Sequence, residues 1–261
     1  MKQMNMVRRP STANFMPALL VSATLLLRAY SAAQAGSAAG NSANAGVLPP
    51  ASSPYGQTCG EWSAQWWQWA LSIPADRNPL LDPTGQDAAI GQTGNVWFLA
   101  GTAGGTAERA VTVPAGKALF FPILNTVYVS CCGDPPWDQP YTDATTTPPT
   151  PYPTFEAYIR FTLKSQLDAV VGLACEIDGR AVQDIAAARC QSPSFMVQLP
   201  EGNLFGIDPG TYGPSAADGY YLMLAPLRPG THTLHFTGGF TDGSFSLDVT
   251  YHLAVAEPGV R

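Results

Sequence analysis

The sequence predicts a mainly β protein, an antiparallel β-sandwich of jelly-roll-like form with two α-helices packed on it. Short apolar segments alternate with turns rich in Gly and Pro, which supply 25 and 24 of the 261 residues. Residues 245–255 alternate apolar and polar side chains, the period of a strand with one buried face. Only 12% of the residues are charged, too few for the charge pattern of a coiled coil.

The first 35 residues have the three parts of a secretory signal peptide. A basic start with Arg8 and Arg9 precedes an apolar stretch over residues 15–27, and Ala33-Gln34-Ala35 provides a small-x-small cleavage site. The apolar stretch is too short to span a bilayer core of about 30 Å. We therefore expect a secreted or periplasmic protein with no membrane span after signal cleavage.

Removal of the signal makes the chain more acidic. It removes four of the 13 basic residues and none of the 19 acidic ones, so the net charge of the remaining chain is 9 − 19 = −10. Such a charge repels nucleic acid and anionic lipid, so no nucleic-acid partner is expected. Neutral glycans or cations are compatible with it.

The mature chain is predicted to have a flexible leader and one domain. Residues 36–53 are rich in Gly, Ser, Ala, Asn and Pro, as flexible linkers are. Residues 54–261 show no internal repeat and fit a single domain. Within it, a Pro- and Thr-rich loop is predicted over about residues 127–153, long enough to suggest a functional role.

Two helices are predicted. Thr58 and Glu61 form a capping-box pattern and Pro74 prevents continuation, which predicts a helix over residues 59–72. Residues 154–170 place apolar side chains at helical spacing behind a Thr cap. The predicted strands are residues 95–100, 110–113, 117–124, 195–199, 220–224, 232–236 and 245–255, with a hairpin at Asp178-Gly179 in 175–182.

The first helix and three strand segments carry a resemblance to a family of secreted bacterial proteins of uncharacterised function. The resembling segments are Glu61-Trp-Ser-Ala-Gln-Trp-Trp-Gln-Trp69 with Ser72-Ile-Pro74, residues 96–101, 113–122 and 230–236. The resemblance implies an exported protein with a Trp-rich helix on a β-sandwich. It implies no activity and no catalytic residue.

The tryptophans of the first helix have two interpretations. At about 100° per residue, Trp62, Trp66 and Trp69 share one face and Trp67 lies on another. Trp67 then lies either on a second buried face of the helix or at the surface, as an exposed platform on which a sugar ring stacks. Trp137 and Tyr141, in the acidic 127–153 loop with Asp134, Asp138 and Asp143, are further candidates for a glycan site.

Histidines and aspartates supply candidates for chemistry. His235, Asp248 and His252 fall at outward-facing positions of the last strands and are candidates for acid–base catalysis or metal binding. The alternative is an ordinary polar sheet face. Esterase, zinc-peptidase, P-loop and dinucleotide-binding motifs are absent from the sequence.

Asp76, Asp82 and Asp87 lie close together in a loop that also contains Gly and Asn. Carboxylates in such loops suit Ca²⁺, although Asp in a Pro/Gly loop also caps turns. No cofactor is predicted beyond this calcium hypothesis.

The five cysteines should form disulfides in an oxidising compartment, with one left over. Fifteen two-bridge patterns are open, and adjacent cysteines would form a strained ring if joined to each other. Cys175 and Cys190 are favoured as partners. The candidates are Cys59, Cys131, Cys132, Cys175 and Cys190.

These features favour a non-catalytic secreted protein that binds a carbohydrate or another envelope ligand. A secreted polysaccharide-acting hydrolase or lyase that uses the Asp/His group is the first alternative. A structural component of the cell surface is the second.

Overall fold

A computed structural model describes residues 46–131 and 133–257. The predicted signal peptide and the first part of the leader lie outside these residues. Within them, the chain forms two five-stranded sheets packed face to face, a small hairpin and two α-helices, which confirms the mainly β sandwich with two helices. No helix in the described part of the chain is long and apolar enough to cross a bilayer.

The helices and strands follow the predicted order, with several strands longer than predicted. The helices are α1 (Cys59–Leu71) and α2 (Phe155–Asp168). The strands are β1 (Val96–Phe98), β2 (Gly105–Val113), β3 (Ala118–Val129), β4 (Tyr141–Asp143), β5 (Thr150–Tyr152), β6 (Val170–Ile177), β7 (Arg180–Ala181), β8 (Arg189–Gln191), β9 (Phe195–Leu199), β10 (Gly210–Leu224), β11 (Gly230–Phe240) and β12 (Ser246–Val255).

The first sheet, sheet A, has the order β1-β3-β10-β8, and β9 also pairs with β10. The second, sheet B, has the order β2-β12-β11-β6-β7. Each contains one parallel pair, β1 with β3 and β2 with β12, and the other pairs are antiparallel. The sheets are therefore mixed, whereas the sequence predicted antiparallel ones. An alternating pattern indicates which face of a strand is buried, but it does not indicate whether the neighbouring strand runs parallel or antiparallel.

Sheet A is buried on both faces. On β3, Phe120 packs toward α1, whereas Leu119 and Phe121 pack toward sheet B. This explains the continuous apolar sequence of β3. On β10, Ala216 contacts α2 and Leu222 contacts sheet B, so α2 and sheet B share the inner face of sheet A.

The start of α1 has the predicted capping box. The Glu61 amide donates to the Thr58 hydroxyl at 3.3 Å, and the Thr58 amide donates to Glu61 Oε2 at 2.7 Å. The predicted Asp178-Gly179 turn also forms, with φ of 50° and 72°. Both residues of such a two-residue hairpin turn need positive φ, which Asp-Gly adopts readily.

Two regions differ from the predicted loops. The predicted 127–153 loop contains the end of β3 and the β4–β5 hairpin, whose cross-strand partners are Tyr141 and Tyr152. The predicted leader is not free along its whole length, because Val47 forms a bridge with Leu224 of β10. Short strands with Pro and Thr lack the apolar alternation that makes a strand visible in a sequence.

A disulfide joins Cys59 at the start of α1 to Cys190 of β8. The predicted pairing of Cys175 with Cys190 is wrong. Cys175 lies on β6 in the core between the sheets, 2% exposed, and burial raises the pKa of its thiol to about 12. Cys131 is exposed, and Cys132 lies outside the described residues.

A buried arginine holds the loops around β2 in place. Arg109 is 1% exposed, and its Nε donates to the Asp82 carbonyl at 2.8 Å. Its Nη1 donates to the carbonyls of Ala100 and Gly101 at 2.7 and 2.8 Å and to the Tyr251 hydroxyl at 2.7 Å. These bonds satisfy carbonyls that the sheets leave unpaired.

Candidate functional site

The α1 tryptophans belong to the core. Trp67 is 5% exposed and its Nε1 donates to the Tyr221 hydroxyl at 3.2 Å. It therefore offers no stacking platform at the surface, and the buried-face interpretation is the correct one. The indole N–H groups of Trp62, Trp66 and Trp69 donate to the carbonyls of Pro54, Leu99 and Ile90.

A small crevice lies beside Trp67. Asn125 and Phe245 also line it, and its volume is about 30 Å³. That is room for one or two water molecules and not for a sugar ring. Asn125 Nδ2 donates to the same Tyr221 hydroxyl at 3.2 Å, and burial raises the pKa of Tyr221. The polar atoms around the crevice therefore serve the packing of α1.

The predicted histidine and aspartate candidates lie on the outer face of sheet B. His235 Nε2 and Asp248 Oδ1 are 2.9 Å apart, so the structure brings these two together. His252 pairs instead with Glu108 of β2, also at 2.9 Å. Both pairs are solvent-exposed, with side-chain exposures of 37% and 53% for the first and 52% and 75% for the second.

The third histidine forms a similar pair near the start of β11, with an aspartate in the turn between β6 and β7. His232 Nδ1 lies 2.8 Å from Asp178 Oδ2, and its Nε2 lies 2.9 Å from the Arg228 carbonyl. Burial lowers the pKa of His232, but these hydrogen bonds outweigh it and the net direction is upward. The sequence did not reveal Glu108 or Asp178 as partners, because strand register places them there.

The predicted calcium candidates do not share one site. Asp82 accepts hydrogen bonds from the amides of Thr84 and Asp87 and from the Thr84 hydroxyl. Burial raises its pKa, but these hydrogen bonds outweigh it and the net direction is downward. Asp87 pairs with Arg77 at 3.2 Å, and Asp76 is exposed. The described residues contain no group of three or more His, Cys, Asp and Glu arranged to hold a metal ion. Asp82 thus has the turn-capping role that was the alternative.

Four accessible aromatic rings lie where the β4–β5 hairpin meets α2. Phe161 of α2 is 55% exposed, and the other three rings are half-buried. We name this region the aromatic surface, and it consists of Trp137, Tyr141, Tyr152 and Phe161. Two of these residues, Trp137 and Tyr141, were predicted from the sequence.

The rings of the aromatic surface are held by contacts with one another and with α2. Tyr152 lies 5.6 Å from Phe161, centroid to centroid, and 5.3 Å from buried Tyr158. Tyr141 lies 4.6 Å from Tyr158. Trp137 stacks on Tyr128 at 6.3 Å. Tyr152 and Phe161 are therefore in direct ring contact, and Trp137 and Tyr141 connect to them through the buried rings of Phe155 and Tyr158.

Asp143 lies beside these rings. In the hairpin, Tyr141 pairs with Tyr152, and Asp143 is two residues from Tyr141, so all three side chains are on one face. Asp143 is 7% exposed, and its charge helps to raise the pKa of Tyr152 and Tyr158, after the larger effect of burial. Tyr152 and Phe161 were not predicted from the sequence, because only the β4–β5 hairpin and the pitch of α2 bring them together.

Comparison with known proteins gives no match, since no family model, curated protein or solved structure is significantly similar to this chain. The resemblance to secreted bacterial proteins stays a prediction. Functional inference therefore depends on the geometry of the chain itself.

Proposed function

We propose that the protein is a secreted carbohydrate-binding protein whose ligand stacks on the aromatic surface. The observation that carries this proposal is the row of accessible rings from Tyr141 and Tyr152 to Phe161, with a carboxylate beside them. Aromatic rings offer flat apolar faces that match the C–H face of a pyranose, and the Asp143 carboxylate accepts hydrogen bonds from sugar hydroxyls.

The charge of the segment supports a neutral or cationic ligand. Between residues 118 and 161 the sequence has four acidic residues and one basic residue, Arg160, which pairs with Glu156 at 2.7 Å. The net negative charge of the segment disfavours an anionic ligand. The disulfide between Cys59 and Cys190 is compatible with an oxidising, extracellular compartment.

Affinity electrophoresis through gels that contain soluble glucans, xylans, mannans or chitosan tests the proposal. We expect retardation of the wild-type protein by at least one polysaccharide. Phe161→Ala or Tyr152→Ala should weaken binding about 2- to 10-fold, the range that one aromatic contact provides. Tyr55→Ala is the matched control, because Tyr55 is a similarly exposed ring far along the chain in the segment before α1.

Two results would overturn the proposal. One is a wild-type protein that no glycan in a broad panel retards. The other is Phe161→Ala and Tyr152→Ala variants that bind as the wild type does.

One observation favours a second candidate, a polysaccharide-acting enzyme. The His235–Asp248 pair, at 2.9 Å on an exposed sheet face, has the geometry of an imidazole oriented by a carboxylate. Its test is reducing-end release from the polysaccharides that bind, with His235→Gln expected to abolish it. Release that is unchanged in His235→Gln, or release that is absent, would refute this candidate.

A further inference from the structure

The loop between β4 and β5 has a composition that neither the fold nor the proposed function explains. The pairing of the two strands ends where Asp143 faces Thr150, and residues 144–149 connect them. Residues 142–154 contain six Thr and four Pro and no Lys or Arg. Proline lacks the amide hydrogen that a strand donates, so the loop stays outside the sheets. A sequence rich in Thr and Pro is typical of O-glycosylated segments in exported proteins.

Three threonine hydroxyls in or beside this loop already have partners that hold the turn. The Thr145 hydroxyl donates to Asp143 Oδ1 at 2.6 Å. The Thr146 hydroxyl lies 2.8 Å from the Thr150 hydroxyl and donates to the Asp143 carbonyl at 3.1 Å. A group added to any of these three hydroxyls would therefore break a hydrogen bond that stabilises the hairpin.

Thr147 differs from these neighbours. Its side chain is exposed, and its hydroxyl makes no hydrogen bond with the described residues. Pro148 and Pro149, which follow it, are exposed as well. An enzyme can therefore reach the Thr147 hydroxyl in the folded protein without opening the hairpin. A sugar attached there would break no hydrogen bond of the loop and would remain in water, so it carries no burial cost.

We propose that Thr147 carries an O-linked glycan in the exported protein. Thr147 Oγ1 forms a bond to the anomeric carbon of a sugar that is held on a diphosphate carrier. The bond from that carbon to the carrier breaks, the diphosphate leaves with the electron pair, and the hydroxyl proton passes to a base of the transferase. The sequence contains no Asn-x-Ser/Thr motif, so no Asn-linked glycan is expected.

Peptide mass spectrometry of the protein secreted by the organism that produces it tests this inference. Chymotrypsin cleaves after aromatic residues and should release residues 142–155, which lie between Tyr141 and Phe155 and include all the threonines of the segment. We expect this peptide to exceed the mass of its sequence by one or more whole monosaccharide residues. Electron-transfer fragmentation should place the added mass on Thr147.

Thr147→Val should fold as the wild type does, because the hydroxyl that it removes has no partner among the described residues, and it should lose the added mass completely. Thr147→Ser keeps an acceptor hydroxyl and should keep the added mass. Thr241→Val is the matched control. Thr241 is an exposed threonine in the turn between β11 and β12 and has no neighbouring proline, so its replacement should leave the modified fraction of peptide 142–155 unchanged.

The inference fails in three cases. The wild-type peptide has the unmodified mass, or the added mass persists in Thr147→Val, or the added mass is that of a phosphate group and not of a sugar. None of these results bears on the aromatic surface, whose ligand is tested separately by affinity electrophoresis. The glycosylation site depends on the predicted export of the chain and is independent of carbohydrate binding, so the two proposals stand or fall separately.

Discussion

Loss of the Cys59–Cys190 disulfide should destabilise the protein strongly. The bond joins residues 131 positions apart, one in α1 and one in β8 of sheet A. Closing a loop of that length lowers the entropy of the unfolded chain by about 17 cal/mol/K, which is about 5 kcal/mol at 25 °C. Measured values commonly fall below this limit, so we expect Cys59→Ser/Cys190→Ser to lose about 3–5 kcal/mol of unfolding free energy. That is a large part of the about 5–15 kcal/mol that stabilises a typical protein.

Urea unfolding followed by tryptophan fluorescence measures this loss, since the α1 indoles are buried in the folded state. Reduction of the wild type should produce a similar loss, and the reductant should leave the double variant unchanged. Cys175→Ala is the control for removal of a thiol that forms no disulfide. Because this variant keeps the Cys59–Cys190 bond, reductant should destabilise it as much as it destabilises the wild type. A loss below about 1 kcal/mol in the double variant would refute the loop-entropy argument.

Three further predictions concern buried and paired charges. Arg109→Met should cost about 2–4 kcal/mol in chemical unfolding, because it removes the donors for three loop carbonyls; an effect near zero would contradict that role. Asp218→Ala should cost about 1–3 kcal/mol, because Arg189 loses its buried partner but keeps Asp168 at 2.6 Å, and Arg189→Met in the same background should recover part of it. His232→Gln should lower the melting temperature more in mild acid than in mild alkali. The raised pKa of His232 means that its stabilisation is complete below the unfolded value of about 6.5 and is lost as the pH rises through the folded value. An equal effect at both pH values would rule out the charged pair with Asp178.

The sequence by itself determined the elements whose signals are local. The capping box of Thr58 and Glu61 places the start of α1 within one residue, and the Asp178-Gly179 turn places the hairpin between β6 and β7. The alternation in residues 245–255 identifies β12 and its buried face. These signals act through hydrogen bonds and burial within a few residues, so no tertiary information is needed.

Part of the candidate site was also predictable. Trp137 and Tyr141 stood out because aromatic residues in an acidic, Pro-rich segment are unusual. Trp67 was a candidate because it lies on a different face of α1 from the other tryptophans. It is buried, because the periodicity of a helix with apolar residues on two faces does not say which neighbours cover them. Sheet A covers the helix, and the Tyr221 hydroxyl accepts the Trp67 indole hydrogen.

Only the tertiary structure decided the long-range pairings. Cys190 faces Cys59 and not Cys175 because β8 belongs to sheet A while β6 belongs to sheet B. The rings of Tyr152 and Phe161 likewise come into contact only when the β4–β5 hairpin folds against α2. Such features depend on which strands pair and in which register, and that is set by packing between residues far apart in the chain, where a single sequence carries no local signal.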